Sequence, residues 1–369
     1  HRYRFVVDDD GSLRAEAGRH RETGNLVFHI FLVFVLVGVG WNTLWGFKGT
    51  SVVVEGQGFS NSITQYDEFK AGAMVDTDNL TPFSMKLRKF VVSFETGTVQ
   101  RGAARSFDAT VDLTMGGKTQ TRDLQVNHPL RIGSTKVHLL GHGYAADVVV
   151  RDGDGKVAYS GPVVFLPQDA NFKSVGVIKV PDARPDRLAF QGFFLPTGAI
   201  TAGGPTSLFP DALNPQLYLT AWYGKPTVET GVPLNIYTLD TTGLTQVTNG
   251  KDKARFVLSP GQRYKLPDGK GSIQFNGWQR WAKIQVSQNP GLPLTFLSVV
   301  LSVAGLCVSL FSRSRRVWVR TIPGDDGLRV EIGGLDRSDS RSGAVDDVNS
   351  LLAALHGDSM SGDVGEEHS

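Results

Sequence analysis

The chain has 369 residues, 40% of them apolar, and its 38 Lys and Arg against 36 Asp and Glu leave a net charge of +2. That length leaves room for a sizeable core, and so even a balance gives no sign of a nucleic-acid partner. The one cysteine, Cys307, excludes a disulfide framework, a CxxC redox pair, a Cys-based zinc site and the CxxCH motif of a c-type cytochrome.

The chain opens HRYRFVVDDD, without Met or the apolar core of a signal peptide, and reads as a fragment or as a protein whose earlier spans lie outside this numbering. Residues 1–25 are expected to be a cytoplasmic segment. Residues 26–47 (LVFHIFLVFVLVGVGWNTLWGF) form an uncharged apolar run of about 20 residues, enough for an α-helix to cross roughly 30 Å of hydrocarbon. His29 stands inside it. An ionisable residue in such a span is costly and usually faces a bundle interior. At about 100° per residue, His29, Val33, Leu36, Gly40 and Thr43 share one stripe. From the residues alone, His29 is either an interfacial side chain reaching the headgroups or a proton relay or metal ligand. A neutral imidazole has a free lone pair that suits it to a metal, haem iron included.

Residues 48–290 show the rhythm of strand and turn. Phe107 to Met115 alternates apolar and polar, the period-2 mark of a half-buried strand. Gly116-Gly117-Lys118 turns the chain, and Thr119 to Val126 returns it. Asp152-Gly153-Asp154-Gly155 and Asp268-Gly269 are further hairpin signals. The Pro-, Gly- and Asp-rich stretch 181–215 is expected to be a long loop or an inserted excursion. An all-β domain follows, sandwich-like or an irregular barrel. Asn127-His128-Pro129 is foremost a turn signal, with His128 a candidate ligand. The glycines around His142, in Gly141-His142-Gly143, point to a tight turn.

Residues 291–312 hold a second uncharged run, on which Thr295, Ser298, Ser302, Gly305 and Ser309 make a stripe of small and hydroxyl residues suited to close helix contact. Arg14, Arg19 and Arg21 precede the first run, and Arg313, Arg315, Arg316 and Arg320 follow the second. Basic flanks stay cytoplasmic, so both ends of the chain are expected inside and 48–290 outside. In the tail, 313–369, Val317 to Ile332 reads as a hairpin around Pro323-Gly324-Asp325-Asp326-Gly327. A polar linker and an amphipathic helix over Ala344 to Leu355 come next, then a disordered end. The fold class expected is a membrane protein with transmembrane α-helices flanking a large all-β extracytoplasmic domain, and a short cytoplasmic hairpin and helix. Gly117-Lys118-Thr119 is not a P-loop, because Asp112 stands where its first glycine is required.

Several runs resemble one family. Ala15 to Glu22 leading into Gly24-Asn25-Leu26-Val27-Phe28-His29 resembles the entry to the third membrane span of the ResB family. Asn127-His128-Pro129-Leu130 followed by Gly141-His142-Gly143-Tyr144 resembles its external domain. Asn289-Pro290-Gly291, with a span leading to Arg315-Arg316-Val317-Trp318, resembles its last helix and exit. The resemblance implies system II cytochrome c maturation in the bacterial cell membrane, as a multi-pass protein partnered by CcsA/ResC. That complex takes up haem b transiently, moves it outward and joins it to the CxxCH cysteines of apocytochrome c. By position His29 matches the family's haem-ligand histidine, and His128 is a second cofactor-binding candidate. Arg19, Arg21, Arg315 and Arg316 are candidates for the haem propionates. The chain itself would be at most a non-catalytic or co-catalytic subunit of the haem lyase, with no catalytic residue of its own. The alternative is a membrane-anchored scaffold whose β domain binds protein partners without cofactor chemistry.

Overall fold

The structure, a computed structural model, describes residues 3–18, 20–226, 237–312, 315–324, 327–336 and 343–361. Arg19, Arg313, the turn residues Asp325 and Asp326, most of the polar linker and the end from 362 onward lie outside the described residues. The chain divides into two units, residues 1–44 with 290–369, and residues 45–289.

In the first unit, helix α1 runs from His20 to Trp45 and α2 from Leu292 to Phe311, both long and apolar enough to cross a membrane. Pro293 sits in the first turn of α2, where its missing N–H has no intrahelical partner to lose. The small-residue stripe expected on α2 is its contact face: Ser298, Ser302 and Gly305 are buried. On α1 the buried residues are Gly24, which faces Gly305 and Ser309, and Gly38, which faces Thr295 and Gly291. A Cβ on Gly305 would lie 2.8 Å from the Gly24 carbonyl and the Phe28 N–H, so only glycine allows this approach. The Ser302 hydroxyl donates to the Phe28 carbonyl across the pair at 3.3 Å. Cys307 is exposed.

The same unit holds a four-stranded antiparallel sheet in the order Arg4–Val7, Leu13–Ala17, Arg315–Gly324, Gly327–Asp336. The hairpin expected in the tail is its second half. The first half lies in residues 1–25, where no strand is expected from the sequence: Leu13–Ala17 pairs with Ala17↔Arg315 to Leu13↔Val319, a partner 300 residues away that no local pattern announces. Helix α3, Gly343–Ser361, packs on the sheet. Its Asp347 takes the Tyr3 hydroxyl and, at 3.0 Å, Arg315.

In the second unit, Thr135–Arg151 and Ser272–Gln288 are each 17 residues long. They pair antiparallel along their whole length, with bulges at Leu139/Gly141 and Asp147/Val148. This ribbon serves two cores. At one end, Val137, Leu139, Ala282, Ile284 and Val286 pack with Phe59, Met85, Leu87, Phe90, Ala109, Val111, Leu113 and Leu124. There a sheet that includes Ser84–Phe94, Ala104–Met115 and Lys118–Gln125 covers the ribbon. The predicted alternation holds, with Ala109, Val111 and Leu113 buried; on the other face, Thr121 donates to Asp112 at 2.8 Å and Gln125 to Asp108 at 2.7 Å.

At the ribbon's other end, Tyr144, Ala146, Val148, Val150, Ile273 and Phe275 join a core with Phe165, Ile178, Phe190, Phe194, Leu217, Leu219 and Phe256. Here the sheet continues through Val157–Pro167, Ser174–Val180, Arg187–Leu195 and Gln216–Gly224. Residues 181–215 are therefore neither one long loop nor wholly an excursion. Arg187–Leu195 is an interior strand, paired over Val180↔Leu188 to Ser174↔Phe194 on one side and Arg187↔Gly224 to Leu195↔Gln216 on the other. Only 196–215 makes an excursion, with a small hairpin of Gly198–Thr201 and Gly204–Ser207. A strand with apolar residues on both faces has no period-2 signal, and its flanking prolines resemble loop composition. Gly192, inside it, lies so close to the Tyr218 carbonyl that a Cβ would collide with it.

Candidate functional site

His29 lies in α1, nine residues after the helix starts at His20, about 13 Å along its axis at 1.5 Å per residue. Its side chain is exposed, as are Val33, Leu36 and Thr43 of the same stripe. The face of α1 that meets α2 is the other one, through Gly24, Phe28, Gly38 and Asn42. His29 Nδ1 is 2.8 Å from the Asn25 carbonyl, and the ring meets Phe28 edge-on at 5.0 Å. A carbonyl only accepts, so Nδ1 carries a proton. In the neutral ring Nε2 then keeps its lone pair, free to meet a group beside the helix. Metal-bound histidines commonly make this bond: the second ring nitrogen donates to a carbonyl and fixes the tautomer. The ring thus has the tautomer of a metal-ligating imidazole. Among the described residues no group of three or more His, Cys, Asp or Glu could hold a metal ion.

Of the arginines considered with it, Arg315 is held by Asp347 at 3.0 Å and Arg316 by Glu16 at 3.0 Å. His128 is in the second unit, in an exposed turn after Lys118–Gln125, where Asn127 has φ +64°. Its Nδ1 is 3.3 Å from the Val126 carbonyl, and its backbone bridges to Gln125. The turn reading of Asn-His-Pro is correct, and among the described residues no group of three or more His, Cys, Asp or Glu able to hold a metal ion includes His128.

His142 is not in a turn. It lies within the strand Thr135–Arg151, and Gly143 beside it is there because a Cβ would strike the Trp281 indole. The imidazole stacks on Phe172 at 4.7 Å, with Phe107, Phe90 and Phe94 at 5.2, 5.7 and 6.3 Å. Its Nδ1 is buried without a hydrogen-bond partner. Burial first, and Arg280 second, hold it neutral, down to about 4. Arg280 is itself buried, 4.8 Å from the Tyr144 ring and 5.6 Å from Trp278, with Asp211 at 2.7 Å. The Tyr144 hydroxyl donates to the Pro210 carbonyl at 2.7 Å, and the Trp281 N–H lies between the Tyr144 and Phe165 carbonyls at 3.0 and 3.1 Å. These contacts gather side chains from the sheet over one core, the ribbon and the 196–215 excursion into one knot. Its sequence signal is Trp278-Gln279-Arg280-Trp281, a cation between two indoles in a strand.

A sequence model of the ResB-like family matches residues 1–345. The chain belongs to the ResB-like family. Among its relatives is cytochrome c biogenesis protein CcsB of Synechococcus sp. (strain JA-3-3Ab), 24% identical over 85% of this chain and 55% of that protein. CcsB of Synechococcus sp. (strain WH7803) is 23% identical over 89% of the chain and 61% of its own length. CcsB of Picosynechococcus sp. (strain ATCC 27264 / PCC 7002 / PR-6) is 28% identical over 35% of the chain and 26% of its own. The chain thus spans little more than half the length of the relatives it matches most fully.

Proposed function

We propose that this ResB-like chain is a membrane subunit of a cytochrome c biogenesis complex and that His29 is an axial ligand to haem carried as cargo. The observation that carries the reading is the His29 ring: exposed on an apolar helix, its Nδ1–H on the Asn25 carbonyl and its Nε2 free. A lone imidazole in an apolar span is costly unless something meets it. The contact face of α1 is already taken by α2, so the partner to that ring comes from outside the pair, as a CcsA/ResC-type protein would. The relatives' names place them in cytochrome c biogenesis, and the basic flanks of both helices favour cytoplasmic termini, with residues 48–290 outside. Haem then meets His29 near the cytoplasmic end of α1, and the β domain faces apocytochrome c.

The test is the visible spectrum of the full-length protein co-purified with its CcsA-type partner, with and without His29→Ala. A haem band that falls or shifts in the variant and recovers with added imidazole supports the ligand. Because His29 packs against nothing in α2, helix pairing stays intact in the variant. An unchanged spectrum removes His29 from the iron, and a colourless wild type that still holds its partner favours the scaffold.

A further inference from the structure

One face of the small sheet carries a cavity of about 480 Å³ lined by Arg4, Val6, Arg14, Glu16, Arg316 and Trp318. The register explains the grouping: Arg4, Glu16 and Arg316 are cross-strand neighbours in one row, and Val6, Arg14 and Trp318 in the next. Val317, of the opposite parity, is buried, and Arg315 reaches Asp347 of α3 on that other face. The lining therefore looks away from α3. Three guanidiniums stand there against one carboxylate. Glu16 is engaged by Arg316 through Nε and Nη2 at 3.1 and 3.0 Å, and Arg14 is bonded to Asp8. Arg4 has no acidic partner among the described residues. Beside it, Val6 is 54% and Trp318 36% exposed, an apolar wall next to an unneutralised cation.

The place in the fold narrows the ligand. Leu13–Ala17 ends just before α1 begins at His20, and Arg315–Gly324 begins just after α2 ends at Phe311. If the two helices lie in a bilayer, the row sits just beyond the helix ends, Glu16 four residues before His20 and Arg316 five after Phe311, on the side where long side chains reach back to the headgroup layer. An arginine fork matches phosphate oxygens, and tryptophan favours that layer.

We propose that this cavity binds the phosphate headgroup of an anionic phospholipid, with Arg4 on the phosphate and Trp318 against the glycerol and upper acyl chain. The proposal rests on the membrane reading above but not on haem. Its test needs neither a bilayer nor the partner: the full chain in nonionic detergent is titrated with dihexanoyl-phosphatidylglycerol. The Trp318 signal is taken as the difference in fluorescence between wild type and Trp318→Phe. Saturable binding is expected, at least about tenfold tighter than for dihexanoyl-phosphatidylcholine. Arg4→Gln, on an edge strand with its side chain outward, should weaken it about tenfold, and Arg14→Gln should weaken it as well. Equal response to the two lipids, or no effect of Arg4→Gln, overturns the proposal. So does inorganic phosphate binding as tightly as the lipid, which would make the site one for a free anion. Displacement of the lipid by a metal-free dicarboxylic porphyrin at lower concentration would assign it to the cargo and overturn it too. Failure of the His29 spectrum leaves all these outcomes readable.

Discussion

Between α1 and α2 the buried residues are Gly24, Gly38, Ser298, Ser302 and Gly305, and backbone meets backbone. Along the ribbon of the β domain they are Tyr144, Phe275, Trp281 and their ring neighbours, and large side chains fill the core. The contrast follows from what surrounds each. In water, burying a large ring is among the strongest gains available, about 25 cal/mol per Å² of apolar surface. If α1 and α2 lie in a bilayer as proposed, their other faces meet lipid and burying leucine between them gains nothing, so close approach and an occasional hydroxyl bond decide the contact. The histidines divide in the same way. His29 is exposed with Nδ1 satisfied inside its own helix, whereas His142 is enclosed by phenylalanines with Nδ1 left over.

The largest effect expected from breaking this comparison is at Trp281. Replacing it with Ala removes a buried indole and its bond to the Tyr144 and Phe165 carbonyls, at a cost of about 3–5 kcal/mol. Thermal or denaturant unfolding of the purified chain should show the loss in the β domain, while the helices keep their far-UV signal. A loss under 1 kcal/mol would mean that the ring knot does not hold the domain together.

Next comes pH. His142 is depressed to about 4 from 6.5 in the fold, so in that window the unfolded chain binds a proton that the folded chain refuses. Its contribution is complete above pH 6.5 and shrinks as pH falls toward 4, by up to about 3 kcal/mol. Arg280, the cation beside it, opposes protonation, and Asp211 is already engaged by Arg280. The His142→Phe variant should therefore lose less stability than wild type between pH 7 and pH 4.5, measured by denaturant midpoints. Parallel curves for the two proteins would show that the imidazole is not kept neutral by burial.

The smallest effect is expected in the helix pair. A side chain at Gly38 would meet the Thr295 hydroxyl and lie 2.9 Å from its N–H, so Gly38→Leu should push α1 from α2 at about 1–3 kcal/mol. Cross-linking between cysteines introduced on the two helices, in a Cys307→Ser background, should fall. The unfolding of the β domain should not move. If both change together, the two contact types are not independent.

How much of this was legible depends on the range of the interactions. The strand around Phe107–Met115, the Gly116-Gly117 hairpin and the small stripe of α2 are written in neighbours two to seven residues apart, and each appears as read. The strand Arg187–Leu195 was missed because burial on both faces erases alternation, and the strand Leu13–Ala17 because its partner is 300 residues on. His142 was misread from its glycines: Gly143 serves Trp281 on the neighbouring strand rather than a turn. The helical wheel separated the His29 stripe on α1 but could not say that α2 would take the opposite face.

The amino-acid sequence by itself determined the local matters: two apolar helices, the β-rich stretch between them, a histidine in the first helix and small residues on the second. Hydrophobic period, run length and turn chemistry act over a few residues and need no partner. Only the tertiary structure decided which faces met. It left His29 outward with a free Nε2, gathered His142 and Arg280 among rings from several strands and loops, and joined the two ends of the chain into one sheet with a cationic cavity. Those outcomes depend on contacts between residues tens to hundreds apart, whose geometry is set only when every strand has found its neighbour.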